Sequence, residues 1–284
     1  MTQIGIRKTI PTLLFLVITA RLDEAHMSQE SENVPTSQEA SPFDEDTFER
    51  LSRALKERNP LPWKKKHQME TLNITLHFEE NPINPMAVLW EPAEEIAFYL
   101  EESCEENNGV RGKKVLELGA GLGLPGIAAA CLGGNVTVTD KPELLPWLQN
   151  SINLNLKSIQ NTSGEIRAEV LTWGDDEKIR SMPRQDMIIV SEAIYDESTV
   201  DELISTMVRL SHDDTTIIVS QGDWIVGSNL EGAWTKFFHD SSEYFEFSPL
   251  PAKYFDCITF VGKVRKTSNT EEKTSEISPG RTEL

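Results

Sequence analysis

Glu117, Gly119, Gly121, Gly123 and Asp140 are the residues of this chain whose types and spacing could do chemistry. The run from Lys113 to Ala130 reads KKVLELGAGLGLPGIAAA: a short apolar stretch, then glycines at alternate positions, then an alanine-rich helical pattern. A strand that turns sharply through glycines into a helix leaves backbone N–H groups open above the strand end. No Cβ then keeps a ligand from the main chain. Asp140 closes the next strand, NVTVTD, and lies 21 residues after Gly119. That is close to the ~20 at which a second-strand carboxylate meets a ribose hydroxyl pair. A ligand carrying a nucleoside therefore suits this turn. The competing reading, a plain tight turn of any α/β protein, leaves both carboxylates without a purpose. Gly126 is expected to be structural, letting the helix pack closely on the sheet.

Such residues need a sheet to hold them, and the chain supplies one. From 113 onward strand and helix patterns alternate, with strands expected at 114–118, 136–140, 169–173, 187–192 and 216–220. Helices are expected near 124–132, 143–155 and 198–210. Repeated βα units of this kind give a parallel, doubly wound α/β sheet. A further helix over 227–238 and a closing strand pair at 243–248 and 257–264 complete it. Upstream, LNITLHF at 72–78 alternates like a half-buried strand, and EPAEEIAFYLEE at 91–102 reads as an amphipathic helix. A short helix is also expected over 46–57, stopped by Asn-Pro-Leu-Pro at 59–62.

Residues 46–264 are thus expected to form one domain. Residues 27–45 are polar and acidic and read as a disordered linker, and 265–284 as a disordered polar tail. Residues 1–26 carry Arg7 and Lys8 before an apolar run from Leu13 to Ile18, which reads as a weak signal-like segment or a mis-assigned start. That run is too short to span a bilayer, so no membrane partner is expected. Forty-six acidic residues oppose 27 basic ones, giving a formal net charge of −19. Neutralising phosphates takes clustered Lys and Arg, so nucleic acid is a poor partner for this surface. Three cysteines without CxxC spacing fit neither a disulfide framework nor a zinc site, and five scattered histidines offer no ligand pattern. No metal is expected. The expected setting is a cytoplasmic monomer.

With the glycine turn, Asp140 and the sheet pattern in place, further matches appear. The order acid-x-Gly-x-Gly-x-Gly resembles motif I of the seven-β-strand methyltransferases that use S-adenosylmethionine. Four landmarks together resemble the methyltransferase-like 21 family of protein lysine methyltransferases. They are Ala87-Val88-Leu89-Trp90, Glu117-Leu118-Gly119-Ala120-Gly121 through Gly126, Leu171-Thr172-Trp173-Gly174, and Ser191-Glu192-Ala193-Ile194-Tyr195. The resemblance implies a Rossmann-like sheet of seven strands, mostly parallel with one antiparallel strand, and helices on both faces.

It also implies roles. S-adenosylmethionine would lie against Trp90, Glu117, Gly119, Ala120, Gly121, Asp140, Trp173 and Ser191. Glu117 would fix its methionine end, Asp140 its ribose hydroxyls, and Trp173 with Ser191 its adenine. Glu192 and Tyr195 would be catalytic, orienting and desolvating a lysine amine of a cytosolic protein. Taken singly, the tryptophans read as core aromatics, Glu192 as a solvated strand-end acid and Tyr195 as a packing residue. The carboxyl end of the fourth strand favours the functional reading, because open α/β sheets bind ligands there. The same acid would suit a histidine, a protein N-terminus or a small amine as acceptor. A non-catalytic interaction module on this fold is a further alternative.

Overall fold

The computed structural model describes residues 62–266 except 82, 83 and 108. The expected helix at 46–57, the segments 1–26 and 27–45, and the tail beyond 266 lie outside the described residues. Among those described, nine strands form a two-stranded hairpin and a seven-stranded sheet. The hairpin joins β1 (Trp63–Met69) to β2 (Ile74–Glu80). The sheet contains β3 (Lys114–Leu118), β4 (Asn135–Asp140), β5 (Glu165–Val170), β6 (Gln185–Ser191), β7 (Ser211–Gly222), β8 (Phe245–Leu250) and β9 (Cys257–Val264). Its order is β5-β4-β3-β6-β7-β9-β8. Only β9 runs against its neighbours, pairing antiparallel with both β7 and β8. The expected fold class is the observed one.

The chain winds outward from β3 to β5, then returns to the other side of β3 for β6. This makes the carboxyl ends of β3 and β6 the topological switch point, the place at which open α/β sheets bind their ligands. Helices cover both faces: α1 (Glu91–Asn107), α2 (Leu124–Cys131), α3 (Leu145–Gln160), α4 (Asp176–Ser181), α5 (Val200–Leu210) and α6 (Glu231–Ser241). The strands sort their side chains by alternation. Val115, Met187, Ile189 and Ile218 join the core beneath α1 to α3. Leu116, Leu118, Ile188, Val190, Ile217 and Val219 join the core beneath α5 and α6. Glu117 shares the Val115 face, so period-two geometry aims its carboxylate at α2. α5 shows the matching helical rule, burying Val200, Leu203, Ile204, Met207 and Leu210 at spacings of three and four.

Several boundaries differ from the sequence expectation. The third parallel strand is Glu165–Val170, not 169–173, so Trp173 stands in the turn after it. That strand lies at the sheet edge and buries no residue fully, which leaves its sequence without strong alternation; the apolar Leu-Thr-Trp drew the expectation downstream. β1 was not foreseen. Lys64 and Lys66 face solvent, and Lys65 reaches Glu94 at 3.2 Å. Asn73, expected in a strand, has φ +51° in the hairpin turn. The helix expected over 227–238 is α6, four residues later at its start, and α4 was not foreseen. Asp175 caps α4, accepting from the Lys178 amide at 3.0 Å.

Candidate functional site

The glycine turn follows β3 directly. Gly119, Gly121 and Gly123 have φ of +65°, +55° and +74°, the left-handed region that side chains avoid. Space forbids side chains here as well. A Cβ on Gly119 would stand 3.2 Å from the Trp173 ring and 3.1 Å from the Ala193 methyl, and one on Gly121 would stand 3.0 Å from the Met86 carbonyl oxygen. The turn is pinned by the Ala120 amide donating to the Thr139 carbonyl at 2.9 Å. Gly126 lies in the first full turn of α2, where an added Cβ would strike Val138 and the Glu117 carboxylate. Its expected packing role follows from that geometry.

Two carboxylates belong to this turn. Glu117 is 1% exposed, and its Oε2 accepts from the Gly126 amide at 2.8 Å. Its Oε1 is buried with no partner among the described residues. Burial is the main reason its pKa is pushed up to about 8, with Asp140 adding to the rise and the Gly126 amide opposing it. Asp140 sits at the tip of β4. Its Oδ2 accepts from the Gly121 amide and its Oδ1 from the Lys141 amide, each at 2.7 Å. Burial again raises the pKa, and the two amides restrain the rise. A carboxylate has about four acceptor positions, so room remains on Asp140 for two hydroxyl donors.

The second group stands at the tips of β6 and β7. Glu192 is a non-glycine residue at φ +49°, held there by its amide donating to the Ser220 carbonyl at 2.9 Å. Strain of this kind persists where surroundings over-determine the backbone, and it concentrates at functional sites. The Glu192 carboxylate accepts from Gln221 Nε2 at 3.1 Å and from the Gly222 amide at 2.8 Å. Burial pushes its pKa to about 7; the Gly222 amide and the Trp224 indole donate against that rise, and Glu91 adds to it. Tyr195 is pushed up to about 12, by burial first and then by the Asp140 and Asp196 carboxylates. Tyr195 thus feels Asp140, while Glu192 faces Gln221, Trp224 and Glu91.

The remaining expected residues border these two groups. Trp173 lies beside Gly119 and Ala193, joining the glycine turn to the β6 tip. The Ser191 hydroxyl is buried without a partner among the described residues. Trp90 donates its indole N–H to the Pro85 carbonyl at 2.9 Å, which seats it beside the 85–87 turn that covers Gly121. Beyond Glu192 opens a cavity of about 350 Å³ lined by Glu91, Ala252, Lys253, Tyr254, Phe255 and Asp256. Its wall is moored to α1 by Glu95, whose carboxylate accepts the amides of Lys253, Tyr254 and Phe255 at 2.8, 3.1 and 3.2 Å.

Residues 70–226 match the family described as lysine methyltransferase. The chain belongs to that family. It is 35% identical over 134 residues to a zebrafish (Danio rerio) protein N-lysine methyltransferase, METTL21A, covering 47% of this chain and 59% of the relative. It is also 35% identical over 150 residues to EEF1A lysine methyltransferase 3 of Xenopus tropicalis, covering 52% and 62%. The chain thus spans about three fifths of the length of these curated relatives. The fold is shared with a T. thermophilus 16S rRNA N2 G1207 methyltransferase solved with AdoMet and guanosine, at a TM-score of 0.50, 16% identity, and coverage of 73% and 52%.

The family span contains the glycine turn, both buried acids and the β7 tip, and it ends before the 252–256 wall. Sequence reasoning missed Gln221 and gave Trp224 no role. The signal for Trp224 was its place just after the fifth parallel strand. Gln221 carried none, because a single glutamine in an apolar strand looks like a solvated end until its burial is known. The mooring residue Glu95 was hidden in the same way, as one more acid on an amphipathic helix.

Proposed function

We propose that this protein is an S-adenosylmethionine-dependent protein methyltransferase whose acceptor is a lysine side-chain amine. The observation that carries this reading is the pair of hydrogen-bonded carboxylates at the tips of adjacent strands, Glu117 fully buried and Glu192 half-buried, within a chain of the lysine methyltransferase family. The residues fit the cofactor. Glu117 Oε1 is a buried acceptor awaiting a cationic donor, which the methionine ammonium provides. The glycine turn packs tightly on its neighbours with no Cβ between its main chain and a ligand, and Asp140 keeps acceptor positions for the ribose hydroxyls. Trp173 and the unpartnered Ser191 hydroxyl border the place left for the adenine, and Trp90 closes the side beyond Gly121.

S-adenosylmethionine, when bound, supplies an electrophilic methyl group on a sulfonium. The protein's part is alignment and proton control. A lysine with an ordinary pKa of ~10.4 must lose a proton before its nitrogen can attack. Entry beside Tyr195 and Trp90 strips water from the ammonium, which favours the neutral amine. Glu192, whose pKa is raised to about 7 by burial, would orient the amine, and water would take that proton. Acid near the channel suits a cationic acceptor: Glu91 is itself raised by burial and by its neighbours Asp256 and Glu94. The same acidic surface disfavours nucleic acid as substrate. All three cysteines are free thiols, which supports a cytoplasmic setting, and we read the protein as a monomer. The organisation proposed is a methyltransferase domain over 46–264 with polar extensions.

The test is methyl transfer from radiolabelled S-adenosylmethionine into lysate proteins, followed by mapping of the labelled residue. EEF1A, named in one relative, is the first purified acceptor to try. Label on lysine, lost in Glu192→Ala and Tyr195→Phe, is the expected result. Label on another residue type, or full activity in both variants, would remove this assignment.

A further inference from the structure

Resting on the methyltransferase reading above, we infer that Gln221 is the positioning residue of the acceptor site, its amide clamping the Glu192 carboxylate and the 192–195 turn in one arrangement. Gln221 is fully buried at the end of β7, the strand next to β6. Its Nε2 donates to Glu192 Oε1 at 3.1 Å, and its Oε1 accepts from the Ile194 amide at 3.4 Å. One side chain therefore grips both the acid and the backbone two residues beyond it. Only one orientation of the amide satisfies both contacts while Glu192 is ionised, since a carboxylate can only accept and the Ile194 N–H can only donate. The clamp is directional for that reason.

Geometry explains why such a clamp is needed. Glu192 holds a backbone conformation disfavoured for a residue with a Cβ, and the turn leading to Tyr195 starts from it. Gly222 donates to the other carboxylate oxygen at 2.8 Å, and it must be glycine because the Trp224 indole fills the place of a Cβ. Three donors from the β7 tip thus converge on one acid of the β6 tip. Of these, Gln221 also holds the turn, through the Ile194 amide. A misplacement of about 1 Å at a reacting centre can cost ~100-fold in rate, so a residue that sets this carboxylate acts on turnover without touching substrate.

The test compares Gln221→Met, which keeps length and apolar packing but removes both polar contacts, with Gln221→Glu, which sets a second acceptor against Glu192. Full-length protein is labelled with ¹³C at glutamate carboxyls, and the Glu192 resonance is identified by its loss in Glu192→Gln. Other ionisable groups around Glu192 are Glu91 from α1, Asp223 after β7, Cys257 from β9 and Tyr195 from its own turn; they are unchanged in each comparison. Losing one hydrogen bond to the charged form moves the Glu192 midpoint up by about one pH unit in Gln221→Met, and the added carboxylate moves it further in Gln221→Glu.

Methyl transfer to lysate proteins should fall about tenfold or more in kcat, with its acidic limb displaced upward by the same interval. Affinity for S-adenosylhomocysteine, measured by calorimetry, should stay within about twofold, which also certifies folding of each variant. An unmoved midpoint and wild-type turnover in either folded variant would overturn the role of Gln221. Full turnover in Glu192→Gln would instead overturn the acceptor-site reading itself, and the two failures are therefore told apart.

Discussion

Two acids, Glu117 and Glu192, sit at the tips of neighbouring strands, and their environments differ in one respect. Both accept from a backbone amide of glycine at 2.8 Å, and loss of solvent makes both hold protons more tightly than an ordinary carboxylate. Glu117 leaves one oxygen buried with no donor, whereas both oxygens of Glu192 are already engaged by the β7 tip. A buried acceptor without a partner is unfavourable until a ligand supplies one. An acid gripped on both oxygens keeps its place while ligands come and go. Under the proposed function, the difference separates a group that binds the cofactor from a group that must be positioned.

The comparison can be broken from either side. The largest effect is expected at Glu192: Glu192→Ala or Tyr195→Phe should lower methyl transfer by about 100-fold or more while S-adenosylhomocysteine affinity holds. If affinity fell instead, the two regions would not be separate. Next comes Asp140→Ala, which should weaken cofactor affinity by roughly 30-fold in a calorimetric titration and leave the Glu192 titration in place.

Glu117 should show its difference through pH. With a pKa near 8 in the free protein, it must release its proton to pair with a cation. Affinity should therefore rise with pH, by at most about tenfold per unit, and level off above 8. Glu117→Gln should flatten this dependence and weaken binding by about tenfold at pH 8. The same group governs the stability of the free protein. Its folded pKa lies above its ordinary value of 4.5, so the folded state holds the extra proton and stability falls as pH climbs from about 4.5 to 8. Thermal melts of Glu117→Gln should lose its share of that decline, above all between about pH 7 and 8, beyond the range of Glu192.

The smallest effect is expected for Trp224→Phe, which keeps the ring and removes one donor to Glu192. Its turnover should fall about threefold, with the acidic limb displaced upward by roughly half a unit. A larger loss than for Gln221→Met would shift the positioning role from the glutamine to the indole.

Much of this was legible from residue types. The glycine turn announced itself because only glycine tolerates positive φ three times within five residues, and α5 because its apolar residues recur at helical spacing. β5 was misplaced because an edge strand buries little and so shows little alternation. Gln221 and Glu95 were not legible. Their neighbours lie 29 and about 160 residues away in the chain, at Glu192 and in the 253–255 wall, and no local pattern reports such a distance.

Residue order alone determined the α/β class, the glycine turn, the acid that follows it and the family to which the chain belongs. These follow from steric rules acting over a few neighbouring residues. Only the folded sheet decided which acid would be left wanting a donor and which would be gripped, because burial and hydrogen bonding across β6 and β7 depend on segments that meet only after the chain has wound past its switch point.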